Sequence, residues 1–138
     1  MRAEDNPSGT PVRLRLAGHQ RYIRVARAVS SSLAAARGFD VEEIDDLRIA
    51  VDELCTALLA LGNGCDITLE FSDDESEGDC VVVTGFAPTS VDGDAPQWRD
   101  ADHDLARQLL DVVATEYSVS HEGGAVSFFL RQRRRSTS

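Results

Sequence analysis

DVEEIDDLRIAVDELCTALLAL, residues 40–61, is the longest periodic stretch of the chain, and its reading decides the fold. Ile44, Leu47, Val51, Leu54, Leu58 and Leu61 recur at steps of three and four, which is one apolar face of an α-helix. Asp40 stands just before the run and Glu43 three residues later, the spacing of a capping box in which each side chain takes a backbone N–H of the first turn. The acidic cluster Glu42, Glu43, Asp45 and Asp46 suits the positive end of the helix dipole. At 100° per residue, Ala50, Glu53 and Ala57 form a narrow strip beside the apolar face. Glu53 is therefore expected at the edge of the core among small residues, where a ligand or a neighbouring backbone can approach.

Outward from this helix the chain reads as short alternating units. Residues 1–11 are polar, with Pro7, Gly9 and Pro11, and read as a disordered arm. Val12–Leu16 alternates apolar residues with arginine and reads as a half-buried strand. His19–Arg37 reads as a helix with Ile23, Ala26, Val29 and Leu33 along one side, Arg21, Arg24 and Arg27 on the polar side, and Gly38 as its stop. Ser30–Ser32 is a polar triplet in mid-helix, suited to close packing against another helix.

Beyond the central helix, Gly62-Asn63-Gly64 is a strong stop. Ile67, Leu69 and Phe71 alternate with polar residues as a strand, and SDDESEGD is an acidic turn. Cys80–Phe86 is apolar at nearly every position, which predicts a strand central in its sheet. Residues 87–101 form an aperiodic loop holding the only tryptophan. Asp102–Ala114 reads as a helix with Leu105, Leu109, Val112 and Val113 inward. Tyr117–Ser120 and Ala125–Leu130 read as strands joined at Gly123-Gly124. RQRRRSTS reads as a charged, solvated tail. The order β-α-α-β-β-α-β-β, with strands clustered in hairpins, predicts an α+β two-layer sandwich, helices on one face of a mostly antiparallel sheet.

A chain of 138 residues suffices for one domain with a proper core. No apolar run reaches membrane-spanning length, and MRAEDNPSGT lacks the apolar segment of a signal peptide, so a cytoplasmic protein without membrane contact is expected. Cys55, Cys65 and Cys80 have no CxxC pairing, and with His19, His103 and His121 they give no metal-site spacing. Buried free thiols are the simpler expectation. The formal net charge of −10 argues against direct nucleic-acid binding and suits a basic protein partner. There is no lysine, so no lysine-dependent chemistry is available. No nucleophile elbow, Walker loop or Gly-rich dinucleotide loop is present. Glu53 is the best-placed general base, against the simpler reading of one partly buried structural carboxylate.

The stretch DDLRIAVDELCTALL, residues 45–59, with the arginine-bearing helix before it and the hairpin after it, resembles the small anti-sigma factors of the RsbW/SpoIIAB type. These belong to the GHKL, or Bergerat-fold, superfamily of histidine-kinase-like ATPases. The central-helix motif is nearly identical to that of the mycobacterial-type anti-sigma-F factors. The resemblance covers residues 12–131, leaving residues 132–138 as a basic tail, and is specific only at the central helix.

It implies a domain that binds a sigma factor and blocks its access to RNA polymerase, dimerises with itself, and is countered by an anti-anti-sigma protein of the STAS fold. Typical members phosphorylate that protein on serine. Their ATP site uses a Glu-x-x-x-Asn on the central helix, an adenine-reading Asp after the next strand pair, and a Gly-rich phosphate loop. Carried over here, the base falls on Glu53, but the Mg²⁺-binding Asn falls on Ala57. TGFAPTS, residues 84–90, has no acid, and Asp92-Gly93 is a poor substitute. No glycine stands between Gly93 and Gly123, and Asp100, Asp102 and Asp104 occupy the phosphate-loop region. Those carboxylates compete for the backbone N–H groups a triphosphate needs. The resemblance thus implies a degenerate nucleotide site, with no cofactor or weak Mg-ATP binding at most, and a partner surface on the first helix at Arg21, Arg24 and Arg27. A kinase using Glu53, and a pseudo-domain with another protein target, stand as alternatives.

Overall fold

The computed structural model describes residues 11–74, 79–88 and 104–135. In order these form β1 (Val12–Leu16), a 3-10 turn at Gln20–Tyr22, α1 (Ile23–Ala36), α2 (Val41–Leu61), β2 (Ile67–Asp74), β3 (Cys80–Pro88), α3 (Asp104–Val113), β4 (Glu116–Glu122) and β5 (Ala125–Arg133). The five strands make one sheet in the order β1-β2-β3-β5-β4, and every neighbouring pair is antiparallel. α2 packs on β3 and β5, with α1 and α3 on either flank of it. The result is the expected α+β two-layer sandwich.

α2 forms where its sequence says it should. Asp40 is the N-cap: its side chain accepts from the Glu43 N–H, and the Glu43 carboxylate accepts from the Asp40 N–H, both at 2.7 Å. At the other end Asn63 takes a left-handed φ of 57°, and the Gly64 N–H reaches back to the Leu59 carbonyl at 3.2 Å. That closure satisfies the last-turn carbonyls. α1 ends the same way: Gly38 has φ +85° and the Phe39 N–H donates to the Ala34 carbonyl. Between these ends Leu47, Val51, Leu54, Leu58 and Leu61 are buried against Leu69, Phe71, Val83 and Leu130 of the sheet. Ser30, from the serine triplet, is buried in the helix layer with its hydroxyl bonded back to the Ala26 carbonyl at 2.8 Å.

β3 is central, between β2 and β5, but it is buried from one side only. Val81, Val83 and Ala87 face the helices, while Phe86 is 47% exposed on the other face. A continuous apolar run predicts burial on both faces; here, among the described residues, no helix covers the second face. Gly85 is required by the layer beneath it, since a Cβ there would overlap the Phe128 ring and Leu58.

The inward face of α3 differs from expectation. Leu110 is fully buried, with Ala106 and Val113 packed beside it, whereas Leu105, Leu109 and Val112 are 68%, 38% and 82% exposed. The helix carries two apolar stripes at helical spacing, 105-109-112 and 106-110-113. The stripe with the small Ala106 lets α3 lie close on α2.

The chain end also departs from the sequence reading, which closes the last strand at Leu130. β5 runs on to Arg133. Its inward residue there is the polar Gln132, so no apolar alternation marks the extension. The Gln132 amide is nonetheless buried and satisfied, accepting from the Thr115 N–H at 3.0 Å and donating to the Val113 carbonyl at 2.6 Å. Arg134 then pairs with Asp79 at 3.0 Å. The Arg135 N–H donates to Glu43, and its guanidinium lies 3.3 Å from Asp46. The positive chain end thus closes on the acidic first turns of α2. Residues 1–10 and 136–138 of the two expected tails lie outside the described residues.

Candidate functional site

Two regions of the helix layer bear on function: the flank of α2 that carries Glu53, and the face shared by α1 and α2.

Glu53 lies on the strip of α2 that also holds Glu43, Asp46 and Ala50. This is the side on which the end of α3 and the last residues of β5 pack. Its carboxyl is half-buried and raised above the usual carboxylate range, first by desolvation and then by the neighbouring Asp52 charge. Among the described residues no hydrogen bond or ion pair holds it. A half-dehydrated, unpaired carboxylate has the chemistry of a general base. One turn later, Ala57 is 4% exposed and part of the core cluster. Its methyl offers no oxygen to a cation. Among the described residues no three His, Cys, Asp or Glu side chains converge on a metal position. Asp92, Gly93, Asp100 and Asp102 lie outside the described residues, and Asp104 opens α3 paired with Arg107.

Arg21, Arg24 and Arg27 do not act as one row. Arg21 turns back on the start of its helix, its N–H and Nε meeting His19 Nδ1 at 3.1 and 3.3 Å and its guanidinium 5.8 Å from the Tyr22 ring centre. Arg24 and Arg27 instead point along the junction with α2, where Arg48 joins them around a shallow depression of about 370 Å³ that includes Ala28 and Ser31. Arg27 Nε is 3.7 Å from Asp52, and Arg48 is 3.4 Å from Asp45. Both pairs are partly exposed, so neither is strong. Arg48 was not among the arginines singled out from the sequence. It lies in the most acidic segment of α2, and only the packing of α1 beside α2 brings it to Arg24 and Arg27.

The open face of the sheet is a third feature. A depression of about 440 Å³ lies over Gly85, edged by Phe86, Phe129 and the hydroxyls of Thr68, Thr84, Ser118 and Ser127. Among the described residues no helix is long and apolar enough to cross a membrane.

No protein-family model matches the chain, and no curated protein matches it in sequence. Its fold does match solved structures. The crystal structure of the RsbU and RsbW domains of Rv1364c from Mycobacterium tuberculosis superposes with a TM-score of 0.68 over 91% of this chain, at 18% identity. The chain spans 32% of that protein's length. At this identity the likeness establishes a shared fold.

Proposed function

We propose that this chain is a cytoplasmic anti-sigma factor: it sequesters an RNA polymerase sigma factor by binding and is countered by an anti-anti-sigma protein. The fold shared with a structure that includes an RsbW domain supports the sigma-regulatory part of this reading. The observation that carries the rest is Ala57, a core methyl one turn after Glu53. Without an oxygen there, a triphosphate lacks the cation that offsets its charge. Release of the sigma factor then proceeds by exchange of protein partners, in a pathway of the stress-response type. The open sheet face, with Phe86 half out of the core, suits pairing with a second copy, giving a homodimer. Calorimetry tests the nucleotide part: Mg-ATP injected into the chain gives no binding heat, and a Kd in the micromolar range would overturn it. Co-purification from the native host tests the partner: a sigma factor accompanies the chain, and its absence would count against the reading.

A second reading is a serine kinase for an anti-anti-sigma protein, favoured by the raised carboxyl of Glu53. It requires phosphoryl transfer from ATP to that protein, abolished in Glu53→Gln. Absence of label transfer in the unsubstituted chain would remove it.

A further inference from the structure

Residues 131–135 place four arginines in five positions at the end of the last strand. A run of like charge is expected to stand free in solvent. The structure instead holds its last two members, Arg134 and Arg135, at two separate anchors.

Arg134 is fixed to the start of β3. Its N–H donates to the Asp79 carbonyl at 2.8 Å, and its guanidinium meets the Asp79 carboxylate at 3.0 Å. Arg37, the C-cap of α1, reaches the same carboxylate at 3.8 Å and Asp73 at 2.9 Å. The four side chains are only 20–35% exposed, so these pairs are better shielded than surface pairs. The stem of Arg134 also passes beside Gly38, in the turn between α1 and α2. Arg135 is fixed to the first turns of α2. Its N–H donates to Glu43 Oε2, while Glu43 Oε1 takes the Asp40 N–H of the helix cap. Its guanidinium lies 3.6 Å from Glu42, 3.6 Å from Glu43 and 3.3 Å from Asp46. One cation thus serves three carboxylates that repel one another at the same helix end.

Two features join these anchors. The residues that hold them are consecutive, so the backbone ties one to the other at fixed spacing. One Glu43 carboxylate also holds both the chain end and the helix cap. Residues 133–135 are all arginine, so no apolar side chain of this segment enters the core. Its detachment exposes polar groups alone and leaves the sheet intact, which is the character of a local opening rather than of unfolding.

We propose that Arg134 and Arg135 form a latch that opens as one unit and couples the start of β3 to the first turn of α2. Loosening either anchor loosens the other. A cationic segment that draws Asp79 away from Arg134 therefore slackens the cap of α2, which it does not touch. The coupling does not depend on which protein the chain binds.

Amide hydrogen exchange, read residue by residue by NMR on the full chain, tests the coupling. The Arg134, Arg135 and Asp40 amides share one degree of protection, lower than that of Val83 and Leu130 in the sheet. Asp79→Asn speeds exchange at Arg135 and Asp40, neither of which contacts Asp79, by at least about threefold. Glu43→Gln speeds exchange at the Arg134 amide by at least about threefold, since coupling between two sites is reciprocal. Asp66→Asn, which loosens the Arg15 pair on β1, changes none of these by more than about 1.5-fold. Circular dichroism verifies each fold, and the two substitutions act at opposite anchors, so either decides the matter if the other fails to fold. An effect of Asp79→Asn confined to Arg134, or no change at Arg134 in Glu43→Gln, would overturn the proposal. So would latch amides that exchange as slowly as Val83 and Leu130, or an equal response to Asp66→Asn.

Discussion

Replacing Glu43 by alanine loosens two parts of the chain at once. Glu43 is 4% exposed, and its carboxylate accepts from the Asp40 N–H at 2.7 Å and from the Arg135 N–H. The first bond is half of the capping box; losing a cap of this kind costs about 1 kcal/mol. The second is a hydrogen bond to a charged group, worth about 1.5–3 kcal/mol. Glu43→Ala should therefore destabilise the chain by about 3 kcal/mol, a fall in Tm of about 10 °C at this size. Glu43→Gln keeps an acceptor oxygen without the charge and should cost about half as much. Because the donor is the backbone of Arg135, the side chain matters less. Its guanidinium is mostly exposed, so Arg135→Ala should cost under about 1 kcal/mol. Arg135→Pro deletes the donor and should approach the cost of Glu43→Ala. Urea unfolding followed at 222 nm measures all four. A Glu43→Ala change below about 0.5 kcal/mol, or equal costs for Arg135→Ala and Arg135→Pro, would refute the reasoning.

Leu110→Ala should cost about 2–5 kcal/mol, while Leu105→Ala on the outer stripe should stay within about 0.5 kcal/mol; comparable losses would mean that α3 packs by its other face. A Cβ at Gly18 would overlap the Gly64 and Cys65 carbonyl oxygens, so Gly18→Ala should lower stability by about 2 kcal/mol or more, and an unchanged denaturation midpoint would contradict that contact. The Tyr117 phenol is pushed up from 10.0 to about 12 by burial and by its bond to Asp111. The folded state thus holds its proton where the unfolded state loses it, and stability falls as pH rises from about 10 to about 12. Tyr117→Phe should flatten that decline; an unaltered alkaline profile would exclude Tyr117 as its source. Burial raises the Cys55 thiol to about 12, and Cys80 is also buried. A thiol reagent at neutral pH should therefore modify the partly exposed Cys65 alone until the chain unfolds, and two fast thiols would contradict the packing.

The sequence specified α2 almost completely because every signal there agreed: the capping box, the apolar stripe and the Gly-Asn-Gly stop. The strand pairing followed from alternation in Ile67–Phe71 and from the Gly123-Gly124 turn. α3 was ambiguous for a physical reason. Two apolar stripes fit the same period, and the choice between them depends on how closely Ala106 lets the helix approach α2. The end of β5 was hidden because Gln132 is buried by its hydrogen bonds, which hydropathy does not register. At the candidate site, the positions of Glu53 and Ala57 were legible from helical spacing. Arg48 was not, since its meeting with Arg24 and Arg27 is a product of helix packing between residues that are distant in sequence.

The most direct test of the account is a competition for sigma factor. RNA polymerase core and a sigma factor that co-purifies with this chain are mixed with increasing amounts of the chain, and holoenzyme is measured with and without Mg-ATP. The account predicts that holoenzyme falls as the chain is added, to the same extent in both conditions. Holoenzyme that does not fall, or that falls only when Mg-ATP is present, would contradict it.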